Sequence, residues 1–217
     1  MKTRFLIAII LLILFSTYKP QKLFFNSEFI IKEITIENNL ILKKNNIKNK
    51  LSFLYDKNLI FLKTSDLKDV IKKIDLLESF EIKKIYPDKL KIKIFEKKLI
   101  AILQNKKKKI YISENFDLIN YTNIESYKNL PIVFGKKENF EVFYKDLKKI
   151  NFPLDSIKKY HLFESKRWDL EVDSKIIKLP LKNYTDSLEN FMSISKNSSY
   201  DKYNLFDYRI KNQLILK

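Results

Sequence analysis

At 217 residues the chain has room for one large or two small domains, and its 45 % hydrophobic share is enough to build cores. The absence of cysteine excludes disulfides and thiolate metal sites, although it identifies no compartment. The formal net charge of +17 invites a nucleic-acid reading, but it comes almost wholly from lysines spread along every segment and interleaved with Asp and Glu. That distribution, alongside abundant Asn and Ile, fits the coding bias of an AT-rich genome, and no nucleic-acid partner is read from it. With one Gly and five Pro, tight turns fall to Asn, Asp, Lys and Ser.

The chain opens on an uncharged stretch, Phe5 to Tyr18, whose first eleven side chains are consecutively apolar: Phe5, Leu6, Ile7, Ala8, Ile9, Ile10, Leu11, Leu12, Ile13, Leu14 and Phe15. It is shorter than the roughly 20 residues a straight spanning helix prefers and overlaps the length of a signal-peptide core. No small-x-small cleavage pattern follows, and the chain turns apolar again at Leu23-Phe24-Phe25, with Lys19 able to snorkel. The reading is an uncleaved single-pass anchor over residues 5–25, with residues 1–4 as a short cytoplasmic tail and the bulk outside the membrane. A cleaved signal peptide is the alternative, while orientation is only weakly encoded because Lys2 and Arg4 are balanced by Lys19 and Lys22.

From Glu28 to Asn38 the alternation of Ile34 and Ile36 with Thr35 and Glu37 predicts a strand, ended by a turn at Asn38-Asn39. Lys43 to Tyr55 places Ile47, Leu51 and Leu54 at helical spacing. A second helix is expected after Thr64, Ser65 and Asp66, which supply capping oxygens, with Leu67, Val70, Ile71 and Ile74 along one face. Phe80 to Ala101 then reads as two strands joined at Pro87-Asp88, the second alternating Leu90, Ile92 and Ile94 with Lys91 and Lys93. Strand, helix, helix, strand, strand in about 70 residues allows two helices to cover one face of a three-stranded sheet.

This order resembles a POTRA domain, and the residues around it resemble the cell-division protein FtsQ/DivIB family. The likeness rests on Phe29 to Asn39, on Tyr86-Pro87-Asp88-Lys89-Leu90-Lys91-Ile92, and on Glu96-Lys97. The chain departs from the family pattern at Asn38, Lys84 and Leu99, where Gly, Arg and Pro are usual. The resemblance implies an α+β fold: one N-terminal transmembrane helix, a βααββ POTRA domain over residues 28–98, and a strand-rich α+β domain over 99–217.

In that second region strands are expected at Ile100 to Gln104, Ile110 to Ser113, Leu118 to Tyr121 and Pro131 to Phe134. The run Lys106 to Lys109 reads as a solvated turn. Gly135, the only Gly, is expected in a positive-φ turn. A helix over Asn139 to Ile150 carries Phe140, Phe143, Tyr144, Leu147 and Ile150 on one side. Ile157 to Phe163, Trp168 to Val172 and Lys175 to Leu179 form a meander, followed by a helix near Thr185 to Ser195 and a closing strand pair, Asn204 to Ile210 and Gln213 to Lys217. Leu130 to Gly135, Arg167 to Leu170 and Asp207 to Ile210 resemble further stretches of the same family, whereas Ser113 to Asp117 matches its pattern poorly.

Little here points to catalysis. His161, the only histidine, lies in an alternating stretch and reads as a solvent-facing strand residue. No nucleophile or phosphate-loop motif occurs. Asp169, Glu171 and Asp173 share one strand face, read as a solvated outer face and not a cation site. Neither an enzyme activity nor a cofactor is expected.

Interaction is. A last strand at a sheet edge presents unpaired N–H and C=O groups to which a partner segment can add a strand. The resemblance implies that this end receives the division proteins FtsB and FtsL, at Arg209, Ile210, Leu214, Ile215 and Leu216, and that the POTRA domain docks other division proteins. For Leu214 and Leu216, closing the core remains an equal alternative. The implied setting is the inner membrane at the division septum, with a POTRA protein of an export or outer-membrane assembly pathway as the alternative.

Overall fold

A computed structural model describes residues 2–17, 29–106 and 108–217. Helix α1 runs over Lys2–Thr17, with every side chain from Arg4 to Ser16 exposed. Of its 16 residues the run Phe5 to Phe15 is apolar throughout, but no helix among the described residues is long and apolar enough to cross a membrane. The second part of the expected anchor, including Leu23-Phe24-Phe25, lies outside the described residues, as do Glu28 and Lys107. The chain forms two compact units, Met1–Lys73 with Phe80–Ile94, and Ile74–Ser79 with Phe95–Lys217.

In the first unit β1 (Glu33–Glu37) is followed by α2 (Lys44–Lys50), a 3-10 turn at Ser52–Leu54, α3 (Ser65–Ile71), β2 (Leu77–Ile85) and β3 (Lys89–Glu96). The strand order is β1-β3-β2, with β1 parallel to β3 in register Ile34↔Leu90 and Ile36↔Ile92. Alternation explains the layering: Ile34, Ile36, Leu90, Ile92 and Ile94 turn one way and are buried against Ile47, Leu51, Leu67 and Ile71 of the helical segment. Each such side chain contributes about 1.5–3 kcal/mol through burial. The other face is a charge ladder, in which Lys89 reaches Glu33 at 2.9 Å and Lys91 reaches Glu37 at 2.7 Å.

Several expectations shift at element ends. The first strand begins at Glu33, with Ile30 only bridging to Asn58. The first helix stops at Lys50, where its last turn tightens into the 3-10 segment. Thr64 makes no side-chain cap on α3; Asp66 instead accepts a bond from the Lys63 N–H at 2.9 Å through Oδ2. Asn38 takes φ 62° and its side chain donates to the Ile94 carbonyl at 2.8 Å, so the turn after β1 is tied to β3. The Tyr86–Pro87 bond in the β2–β3 turn is cis.

The second unit is one mixed sheet built from β4 (Leu99–Asn105), β5 (Lys108–Ser113), β6 (Leu118–Asn120), β7 (Ile132–Phe134), β8 (Ile157–Leu162), β9 (Trp168–Val172), β10 (Lys175–Lys178), β11 (Leu205–Asp207) and β12 (Ile215–Leu216). Its order is β12-β11-β10-β9-β8-β7-β4-β5-β6. Helices α4 (Lys137–Lys149) and α5 (Tyr184–Ile194) bring Phe140, Phe143, Leu147, Leu188 and Phe191 onto a core with Tyr160, Trp168, Leu170, Ile177 and Phe206. Phe143 stacks on Trp168 at 4.8 Å, and Phe191 meets Phe206 edge-on at 5.0 Å. Along α4, Glu141 pairs with Lys145 at 2.7 Å, and Lys148 and Lys149 in the last turn complement the helix dipole.

Ala101 and Leu103 belong to that core, whereas Ile102 joins Leu99, Tyr111 and Ile119 in a second cluster. Successive strand residues face opposite ways, so the second cluster lies on the other face, over β4 to β6, packed by Leu76, Ile124, Tyr127 and Leu130.

The role expected of Gly135 is corrected: no glycine has positive φ. A Cβ at Gly135 would lie 2.8 Å from Leu162 Cβ, so space and not conformation demands glycine there. Positive φ is taken instead by Asn38, Asp56, Lys106, Phe116, Asn151, Lys166, Asp173, Asn183 and Asn212. Lys106 occupies the turn before β5, while Lys108 and Lys109 already belong to the strand.

Candidate partner-docking edge

Strand β12 closes one edge of the large sheet, and the residues leading to it show how it is held. After β10 the chain turns left-handed at Asn183 (φ 56°) and enters α5, whose Leu188 and Phe191 face the core. A 3-10 turn at Ser198–Tyr200 follows, with Asn197 Oδ1 accepting from the Ser199 N–H at 3.0 Å. β11 then lies parallel to β10 in register Ile177↔Phe206, which drives Phe206 into the core at 0 % exposure. Tyr208 continues the segment, its N–H donating to the Lys178 carbonyl at 2.9 Å and its hydroxyl to Asn190 Oδ1 at 3.0 Å. Burial pushes the Tyr208 phenol up, so its proton stays available for that bond.

Asn212 (φ 59°) reverses the chain, and β12 returns antiparallel to β11 in register Phe206↔Leu216 and Asp207↔Ile215. Leu205 and Lys217 exchange both backbone bonds, at 3.0 and 3.2 Å. The neighbouring pair Phe206↔Leu216 is therefore the non-bonded kind, and Leu216 turns its N–H and C=O away from β11. Opposite Phe206, the Leu216 side chain faces the core, and Leu214 also packs there. Ile215 falls opposite Asp207 on the outer face and is 37 % exposed, while Ile210 is 50 % exposed. The five expected partner-binding residues thus divide: Leu214 and Leu216 close the core, and Arg209, Ile210 and Ile215 present themselves at the surface. The closing strands are also shorter than expected, because Asp207 turns its carboxylate back on Arg209 and ends β11 there.

Asp207, only 6 % exposed, accepts from the Arg209 backbone N–H at 3.1 Å, from Nε at 2.8 and 3.0 Å, and from Nη2 at 2.6 Å. These bonds, with nearby Lys178, hold its carboxyl below the usual carboxylate range against the opposing effect of burial. Asp207 is one member of a row crossing the outer face through Phe134↔His161, His161↔Asp169, Asp169↔Lys178, Lys178↔Asp207 and Asp207↔Ile215. His161 stacks on Phe134 at 4.8 Å and lies 3.3 Å from Glu171 Oε1, which explains its partial burial. Asp169 is not solvated as the sequence suggested: it is 6 % exposed and accepts from Arg167 Nε at 3.1 Å. Glu171 pairs with Lys159 at 2.8 Å, and Asp173 turns away at φ 51°. Among the described residues no His, Cys, Asp and Glu group could hold a metal ion.

Beside β12 the chain leaves a groove of about 740 Å³ lined by Leu181, Asp186, Asn190, Tyr208, Ile210 and Leu214, among others. The groove was not legible in the sequence, since residues 180–190 and 208–214 meet only through the β10–β11 pairing. Its lining mixes apolar Leu181, Ile210 and Leu214 with Asp186, Asn190 and the basic Lys182, Arg209 and Lys211, and with the adjacent strand edge it suits the capture of an extended or helical peptide.

The βααββ order of the first unit is that of a POTRA domain, and the second unit is a helix-covered mixed sheet with β12 at one edge. Residues 29–97 match the family described as POTRA domain, FtsQ-type, so that this part of the chain is an FtsQ-type POTRA domain. A comparison with curated proteins returns no match.

Proposed function

We propose that the chain is a non-enzymatic scaffold of bacterial cell division, anchored in the inner membrane through residues 5–25 and joining other division proteins outside the cytoplasm. The carrying observation is the FtsQ-type POTRA match at residues 29–97. In this reading residues 28–98 form the POTRA domain and dock other division proteins. Residues 99–217 form the second domain, whose β12 edge receives an FtsB/FtsL-like pair by strand addition. The outward N–H and C=O of Leu216, the exposed Ile210 and Ile215, and the groove beside them support that assignment. Arg209 fixes the approach to the edge through its ion pair with Asp207. The exposed apolar run Phe5 to Phe15 on α1 supports the anchor.

Co-purification of the full chain with its FtsB/FtsL-like partners tests the reading. Substituting Ile210→Glu and Ile215→Glu abolishes capture while the melting curve stays in place; capture by the double variant refutes the edge assignment. Depletion is expected to give filamentous cells and a fluorescent fusion to gather at midcell, whereas normal division in a verified null strain overturns the scaffold role.

A further inference from the structure

The charge of the first unit is lopsided. Outside α1 its described residues carry fifteen lysines against seven carboxylates. On the outer sheet face the carboxylates are spent on neighbours: Lys32 with Asp88, Lys89 with Glu33, Lys91 with Glu37. The helical layer, residues 43–73, holds nine lysines (43, 44, 48, 50, 57, 63, 68, 72 and 73) and only Asp56, Asp66 and Asp69. None of the nine forms an ion pair among the described residues, and all but half-buried Lys48 are exposed. Geometry gathers them, since Lys50 Nζ donates to the Lys73 carbonyl at 3.4 Å and sets the basic last turns of α2 and α3 side by side. Phe61, 70 % exposed, protrudes from the same layer, and Phe53 lies beneath Lys57 at 5.0 Å.

We infer that this helical layer docks on a bilayer surface rich in anionic lipid headgroups. Unpaired lysines gain most from phosphate, each raising partition to an anionic surface about fivefold, and exposed aromatics favour the headgroup level. Proximity is built in: only residues 18–28 separate α1 from Phe29, a reach of at most about 40 Å. This placement rests on reading α1 as the anchor. Lys32, Lys89 and Lys91, matched by Asp88, Glu33 and Glu37, have no comparable demand for an anion.

The chain has no cysteine, so single-cysteine labels are clean probes. In the full chain an environment-sensitive dye at Asn45→Cys is compared in vesicles of phosphatidylcholine alone and with 30 mol % phosphatidylglycerol. A second dye, at Lys196→Cys in the other unit, is the control. The expected result is a blue shift of the first label only, with anionic vesicles only, reversed by 0.5 M salt. Substituting Lys43→Gln, Lys44→Gln, Lys72→Gln and Lys73→Gln lowers the docked fraction ratio at least tenfold, with an unchanged melting curve. Equal signals in both vesicles, or an undiminished shift in the quadruple variant, overturn the inference. So does an equal shift with a DNA oligonucleotide in place of vesicles, which would make the layer a nucleic-acid surface. Flotation with neutral vesicles in high salt reads the anchor separately. A chain that fails to float there, yet shows the anionic-dependent shift in low salt, loses its anchor and keeps its docking face.

Discussion

Gly135 shows how a single residue can be necessary for a reason its type does not announce. Its φ is ordinary, yet a Cβ there would press on Leu162 at 2.8 Å, within a unit whose core is closed by Trp168 and Phe143. Gly135→Ala is therefore expected to cost about 1–3 kcal/mol through overpacking, measured as a lower urea midpoint with unchanged m-value. Asp207 makes a second prediction. Arg209 lowers its folded pKa below the unfolded value near 4, as Lys159 does for Glu171 and Lys149 for Asp146. Near and below pH 4 the unfolded chain then binds more protons than the folded one, so unfolding free energy rises with pH in that range. Stability is fully present above about pH 5 and falls as these carboxylates are forced to protonate. Urea titrations between pH 7 and pH 3 should show this loss, and Asp207→Asn should flatten the acid limb.

At the scale of elements, β12 is two residues long, and its worth depends on β11 behind it. Phe206 is the pivot: fully buried against Phe191, it holds the strand that Leu216 and Ile215 pair with. Phe206→Ala is expected to cost about 3–5 kcal/mol and to remove partner capture with it. The surface pair Ile210 and Ile215 should separate these effects, since their substitution leaves stability within about 0.5 kcal/mol. In the first unit, Ile92→Ala at the centre of β3 is expected to cost about 2–5 kcal/mol, because it opens space between the sheet and Leu67 and Ile71.

For the whole molecule, the proposed anchor and the proposed docking face would act on one bilayer by different physics. Apolar insertion of α1 is insensitive to salt, whereas lysine docking is screened within about 10 Å at 0.1 M. The full chain is expected to remain with membranes through a high-salt wash. A version lacking residues 2–17 should be released by it, as followed by fractionation and immunoblot.

Much of this architecture could be read from residue order because it rests on periodicity. The alternation of Leu90, Ile92 and Ile94 with lysines, and the spacing of Phe140, Phe143, Tyr144 and Leu147, specify which face is buried whatever that face meets. The apolar run at Phe5 to Phe15 is equally legible. What periodicity does not carry is which strands are neighbours and which side chains meet between them. Only the parallel pairing of β10 with β11 sets Asp207 beside Lys178, opens the groove next to Tyr208 and turns Leu216 inward while Ile215 faces out. Lysines spaced evenly along the chain become one-sided only when the sheet matches its own with carboxylates and the two helices bring the rest together. Local pattern is a property of consecutive residues; pairing, packing and charge asymmetry belong to residues that meet only once the chain has folded.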